Sequence, residues 1–200
     1  MQSAAQQQER VDRYFDSAAD YWKAIYDDTA VYGVIHQQRQ ATALEWIDDL
    51  VLPRDAAVLE IGCGAGLTSA ALAERGFNVT ATDSAPAMVQ LTNQLALDRN
   101  LTSGIVASVA DVHSLPFDDG SYSLVLALGV LPWLHSPERA VKEIARVLRP
   151  GGFMLVNVDN VFRLHYLLDP RMHPALAPIR DSMRRWFGRT GERPKARDQR

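Results

Sequence analysis

Between Val58 and Gly76 the chain reads VLEIGCGAGLTSAALAERG, and this stretch constrains everything around it. Val58 to Ile61 is a short apolar run that carries one acid, Glu60. Gly62, Gly64 and Gly66 then alternate around Cys63, and Leu67, Ala70, Ala71 and Leu72 continue in a helical pattern. Strand, bare loop and helix, in that order, let a main chain turn sharply and offer its amides to a ligand that a Cβ would hold off. Loops spaced G-x-G-x-x-G bind dinucleotides; here the third glycine comes one residue early, giving G-x-G-x-G. The loop by itself still admits a nicotinamide dinucleotide, so the rest of the chain has to decide.

The 200 residues suffice for one domain with a sizeable core, and 47% hydrophobic with 22% charged residues is ordinary for a globular chain. No apolar run approaches the roughly 20 residues that cross a bilayer. The start, MQSAAQQQER, lacks the basic and apolar regions of a secretory leader. Cys63 is the single cysteine, which excludes an internal disulfide framework and points to a reducing, cytoplasmic setting. The formal net charge is -3, yet Arg180 to Arg200 holds eight Lys/Arg against three Asp/Glu. Aromatic residues for base stacking are thin in that basic end, so a solvated tail is expected there and no nucleic-acid partner.

Ahead of the glycine loop, Val11, Tyr14, Phe15, Ala18, Trp22 and Ile25 recur at helical spacing from Glu9 to Ile25. A second helix is expected from about Val34 to Leu50, burying Ile35, Ala41, Leu44, Ile47 and Val51, and closed by Pro53. Tyr14, Tyr21, Trp22, Tyr26 and Tyr32 give this segment an aromatic character that suits packing, and equally a lid that excludes water. Beyond the loop, strands are expected at 78–82, 105–109, 123–128 and 153–158. Helices should start near Pro86, where proline fits a first turn, and over 137–148. Such alternation calls for a parallel sheet with right-handed crossovers. No strand pair is legible after the fifth strand, and no internal repeat anywhere.

Three landmarks then fall at the carboxyl ends of successive strands: the glycine loop, Asp83 and Asp111. A carboxylate such as Asp83, about 20 residues past the loop, can accept both hydroxyls of a ribose. Asp111 with the backbone N–H of Val112 offers an acceptor beside a donor, the complement of an adenine edge. That third landmark tips the balance away from a nicotinamide site.

Taken together, VLEIGCGAG, ATDSAPAMV, ADVHSLPFDDGSYSLVLAL and EIARVLRPGG resemble, in order and spacing, the class I S-adenosylmethionine-dependent methyltransferases of the quinone-methyltransferase-like branch. The resemblance covers roughly Tyr14 to Asn160. It implies an α/β, doubly wound, mainly parallel Rossmann-like sheet in the order 3-2-1-4-5 beneath an N-terminal helical lid. The corresponding division is a lid over 1–52, a cofactor-binding core over 53–160, a helical segment over 161–187 and a disordered basic tail over 188–200. The implied cofactor is S-adenosyl-L-methionine, leaving as S-adenosyl-L-homocysteine, with a small, apolar methyl acceptor and no metal. In such a site Glu60 and the Gly62–Gly66 backbone, with Cys63 between, hold the methionine end. Asp83 holds the ribose, Ser84 and Met88 line the adenine, Asp111 and Val112 read its edge, and Leu128 and Gly129 lie under the sulfonium.

Candidates for a general base, needed only if the acceptor must lose a proton, are His135 and His113. The turn after the fourth strand reads GVLPWLH, where many relatives carry polar or histidine-containing turns; Leu131, Pro132 and Trp133 suit an apolar acceptor instead. Tyr14, Tyr21, Trp22, Tyr26 and Trp133 are the expected lid and acceptor contacts. The opening YFDSAADYWKAIYDD also looks somewhat like the start of magnesium-protoporphyrin O-methyltransferases. A non-catalytic cofactor-binding module, or part of a larger enzyme, is the alternative reading.

Overall fold

The computed structural model describes residues 4–25 and 28–158. Five strands form one sheet in the order β3-β2-β1-β4-β5, with every neighbouring pair parallel. They are β1 (Ala57–Ile61), β2 (Asn78–Asp83), β3 (Ile105–Val109), β4 (Tyr122–Ala127) and β5 (Leu148–Val156). Helices α4 (Leu67–Glu74), α5 (Pro86–Asp98) and α6 (Pro137–Val147) carry the crossovers, while α1 (Ala4–Ser17), α2 (Ala19–Ala24) and α3 (Val31–Asp48) precede the sheet.

Side chains alternate across a strand, and here the alternation divides the core in two. Val58, Leu124 and Leu126 point to the face covered by Ala70 and Leu72 of α4, Ala96 of α5 and Ile47 of α3. Leu59, Ile61, Val125 and Ala127 point to the other face, against Ala140, Ile144 and Val147 of α6. All six residues of β4 are buried, Ser123 among them, as the nearly all-apolar run requires of a central parallel strand. Each large aliphatic side chain so buried contributes about 1.5–3 kcal/mol. The chain leaves β1 toward β2 on one side and reaches β4 on the other. The crevice therefore opens where β1 and β4 end, at the topological switch point.

Several boundaries differ from the sequence reading. The first helix starts by Ala4 and breaks at Ala18, whose φ/ψ of -106/14 interrupts the ladder. Ser17 Oγ donates back to the Tyr14 carbonyl, the kind of local bond that competes with helix continuation. The second runs Val31–Asp48 and buries Gly33, His36, Ala43 and Ile47. Ile35 and Val51 are exposed at 54% and 99%, so the buried side is shifted and partly polar because it faces a cleft. Strand β5 includes Arg149-Pro150-Gly151-Gly152 as an irregularity between the Tyr122 and Leu124 pairings, with Gly151 at φ +78°. The helical segment over 161–187, the tail over 188–200 and the question of a strand pair after β5 lie outside the described residues.

Candidate active site

A cleft of about 450 Å3 opens over the carboxyl ends of β1, β2, β3 and β4, walled on its far side by α1, α2 and α3. Its floor is the glycine loop, whose three glycines do three different things. At Gly62 (φ +71°) a Cβ would lie 2.4 Å from Val130 Cγ2, so the loops after β1 and β4 touch there. At Gly66 (φ +82°) a Cβ would strike Thr92 Cα at 2.9 Å, which fixes how closely α4 approaches α5. At Gly64 (φ +55°) a Cβ would meet nothing within 4 Å. Gly62, Cys63 and Gly64 line the cleft; Gly66 does not, since it is spent on helix packing.

Backbone and side-chain bonds brace this loop. The N–H groups of Gly62 and Cys63 donate to the Thr82 carbonyl at 2.7 and 3.0 Å. Thr92 Oγ1 donates to the Gly64 carbonyl at 3.0 Å, and the Gly64 N–H donates to Asp83 Oδ2 at 3.0 Å. Asp83 Oδ1 accepts from the Ala85 N–H at 3.0 Å. Asp83 thus tethers the loop it was expected only to accompany. Each carboxylate oxygen keeps a second acceptor site for a hydroxyl. Burial lifts the Asp83 carboxyl above its ordinary pKa, opposed by these backbone donors.

Glu60 is 3% exposed and takes a short hydrogen bond from Ser69 Oγ of α4. Burial raises its pKa to about 8, only partly offset by hydrogen bonds from Ser69 and Thr68. A carboxyl that folds protonated contributes stability that is fully present below pH 4.5 and lost as pH climbs from there through about 8. Denaturant titrations of wild-type protein and Glu60→Gln across that range should therefore diverge, with the glutamine variant relatively more stable at the alkaline end. Burial also pushes the Cys63 thiol well above its ordinary value, beside the carboxyls of Asp83 and Glu60, and leaves it a small packing residue rather than a nucleophile.

Ser84, Met88, Asp111, Val112, Leu128 and Gly129 all line the cleft. Asp111 Oδ1 accepts from both the backbone N–H and ring Nδ1 of His113, at 2.9 and 2.7 Å. Burial alone would raise the Asp111 carboxyl; the two bonds from His113 outweigh it and hold the group below its usual range. His113 and His135 do not line the cleft. They sit behind Asp111 with ring centroids 3.8 Å apart.

Of the expected lid residues, Trp22 and Trp133 line the cleft and Tyr14 stacks on Trp133 at 6.0 Å. Tyr21, 47% exposed, instead packs edge-on against Trp22 from outside. Tyr26 lies outside the described residues. Tyr32, one of the aromatics suited to a lid, lines the cleft as well, together with Phe15, His36 and Arg39, which the sequence does not single out as cleft contacts. The Arg39 guanidinium lies so close over Gly129 (φ +78°) that a Cβ there would meet Nη1 at 2.8 Å. Arg39 Nη2 donates to His36 Nδ1 at 2.7 Å. Burial, then the Arg39 charge, lowers the His36 pKa to about 4, so this imidazole is neutral at pH 7. The Gly129 N–H is in turn taken by the Asn157 side-chain carbonyl at the end of β5.

The arrangement is an extended slot: a bare main-chain cradle with a buried carboxyl after β1, two carboxylates at the ends of β2 and β3, a guanidinium over Gly129 on the β4 side, and aromatic rings above. Residues 59–156 match the methyltransferase domain family. This stretch is similar to that methyltransferase domain and makes up just under half of the chain. Over 144 residues it is 35% identical to 2-methyl-6-phytyl-1,4-hydroquinone methyltransferase from Synechocystis, covering 64% of this chain and 44% of that protein. It is 26% identical to the ubiquinone biosynthesis O-methyltransferase of Coxiella burnetii, covering 76% and 62% respectively. A solved structure from Methanococcus maripaludis, assigned to the S-adenosyl-L-methionine-dependent methyltransferases, superposes with a TM-score of 0.63 at 22% identity, covering 86% of this chain and 75% of that one. That likeness speaks for the fold. The chain spans less than two thirds of either curated relative. S-Adenosylmethionine is the cofactor of this family, and the cradle fits it: Gly64 leaves open space, and Glu60, Asp83 and Asp111 stand in sequence along one slot.

Proposed function

We propose that this protein transfers a methyl group from S-adenosylmethionine to a small apolar molecule with a flat phenolic ring. The observation that carries the reading is the open Gly64 cradle flanked by Glu60, Asp83 and Asp111 beneath an aromatic wall. Glu60 and the Gly62–Gly64 backbone would hold the methionine end, with Arg39 placed to pair its carboxylate. Asp83 would take the ribose hydroxyls, Ser84 and Met88 the adenine faces, and Asp111 and Val112 its edge. Leu128 and Gly129 would lie under the sulfonium. When bound, the cofactor supplies a methyl on positively charged sulfur.

The protein's own contribution is alignment and exclusion of water. Holding acceptor and methyl in line supplies about 7–11 kcal/mol of such a barrier. Phe15, Trp22, Tyr32 and Trp133 enclose the acceptor end, and each ring face turned to the sulfonium adds about 0.5–2 kcal/mol. The α1–α3 segment acts as the lid. Among the described residues the lining imidazole is His36, held neutral by burial and engaged at Nδ1 by Arg39, which makes it a weak base. An acceptor whose own hydroxyl ionises readily suits such a site. The two curated relatives are named for a hydroquinone and for ubiquinone biosynthesis, which supports a phenolic ring. No described helix is long and apolar enough to cross a membrane, and the buried lone thiol suits a cytoplasmic setting.

Calorimetric titration with S-adenosylhomocysteine and with NADH, followed by assay of labelled methyl transfer to substituted hydroquinones, tests the reading. Binding of the first and transfer to a phenolic oxygen or ring carbon is expected. Tight NADH binding without S-adenosylhomocysteine binding would overturn it. Cofactor binding with no transfer to any acceptor would favour the cofactor-binding module instead.

A further inference from the structure

Behind the Asp111 carboxylate stands a histidine that does not line the cleft. His113 is 2% exposed, and its ring makes one hydrogen bond among the described residues, from Nδ1 to Asp111 Oδ1 at 2.7 Å. Its Nε2 is buried without a hydrogen-bond partner among the described residues. The ring lies against that of His135, with centroids 3.8 Å apart and planes 31° from parallel. To donate to a carboxylate Nδ1 must carry the proton, and Nε2 is left unpartnered among the described residues. A buried nitrogen left in that state has a cost, and the ring's one directional contact is Asp111.

The consequence lies in which oxygen is used. Both bonds from His113, ring and backbone, converge on Oδ1. Oδ2 takes no hydrogen bond among the described residues, and Asp111 lines the cleft. Two donors on one oxygen fix the carboxylate plane and leave the other oxygen without a donor among the described residues. They also keep the group ionised, hence purely an acceptor. An acceptor at that point suits the exocyclic amine of adenine and repels the carbonyl of a 6-oxopurine.

Accepting Asp111 as the reader of the purine edge, we infer that His113 is a positioning residue that sets the preference for a 6-aminopurine cofactor over a 6-oxopurine one. It acts through the carboxylate and touches neither cofactor nor acceptor.

The test compares dissociation constants of S-adenosyl-L-homocysteine and its deaminated 6-oxo analogue, S-inosyl-L-homocysteine, on the full chain. Wild-type protein is expected to prefer the adenosyl compound by roughly ten- to hundredfold, the equivalent of one well-placed hydrogen bond. His113→Leu should cut that preference to a few-fold, while His113→Asn, whose amide can still donate from near the Nδ1 position, should restore most of it. Asp111→Asn separates the two layers of the argument. If Asp111→Asn erases the preference but His113→Leu leaves it intact, the role of His113 is overturned and the reading of Asp111 stands. If neither changes it, the adenine edge is read elsewhere. Should His113→Leu not fold, nitrogen NMR of the histidine rings in wild-type protein decides. A proton on Nδ1 of His113 is required, and the opposite tautomer would overturn the inference.

Discussion

Gly66→Val is expected to destabilise the fold by about 2–6 kcal/mol, the largest single effect we anticipate outside the sheet core. Backbone at φ +82° is a left-handed conformation that a β-branched residue avoids, at about 1–3 kcal/mol. A Cβ at that position would also stand 2.8–2.9 Å from three atoms of Thr92. Overpacking of this kind costs a further 1–3 kcal/mol or so, and Thr92 is not free to yield because its hydroxyl holds the Gly64 carbonyl. Thermal or urea unfolding reads the loss directly. Gly64→Ala is the matched control: it shares the positive φ but has nothing within 4 Å, so it should retain most of its stability while weakening cofactor binding. Equal loss of stability in the two variants would show that the glycines are not divided between packing and ligand approach.

Asp83→Ala is expected to weaken S-adenosylhomocysteine binding by about 1–3 kcal/mol, roughly five- to 150-fold in the dissociation constant. Two effects run together. The ribose hydroxyls lose their acceptor, and the Gly64 N–H loses the partner that fixes the loop. Asp83→Asn separates them, because its amide oxygen can still accept one bond while its nitrogen cannot accept the other. An intermediate affinity is expected, read by calorimetry. An unchanged dissociation constant in the alanine variant would remove Asp83 from the site.

What the sequence disclosed and what it withheld divide along a physical line. The glycine loop, the two acids at 83 and 111 and the strand–helix alternation are legible because backbone conformation and hydrophobic period act locally. Even the order of the strands followed from the motif series. Arg39 was not legible, because its meaning depends on Gly129, ninety residues later in the chain. A signal was present all the same. His36 and Arg39 stand three apart on one helix face, within the polar stretch His36–Gln40, where packing alone would not ask for them. The same holds for Ser69 against Glu60, Thr92 against Gly64 and Asn157 against Gly129: short polar side chains whose partners are set only by tertiary contact. The apolar residues of α3 misled for a related reason. Ile47 is buried as the period asks, but Ile35 faces the open cleft and Val51 falls beyond the end of the helix at Asp48.

One feature of the architecture bears on how such a protein diversifies. The proposed nucleoside end rests on main-chain amides and short acids rooted in the sheet, whereas the opposite end is shaped by rings carried on α1, α2 and α3. Exchanging Phe15, Trp22 or Tyr32 would therefore redraw the set of molecules admitted without disturbing the donor's berth. Lineages built on this plan can change customers while keeping their currency.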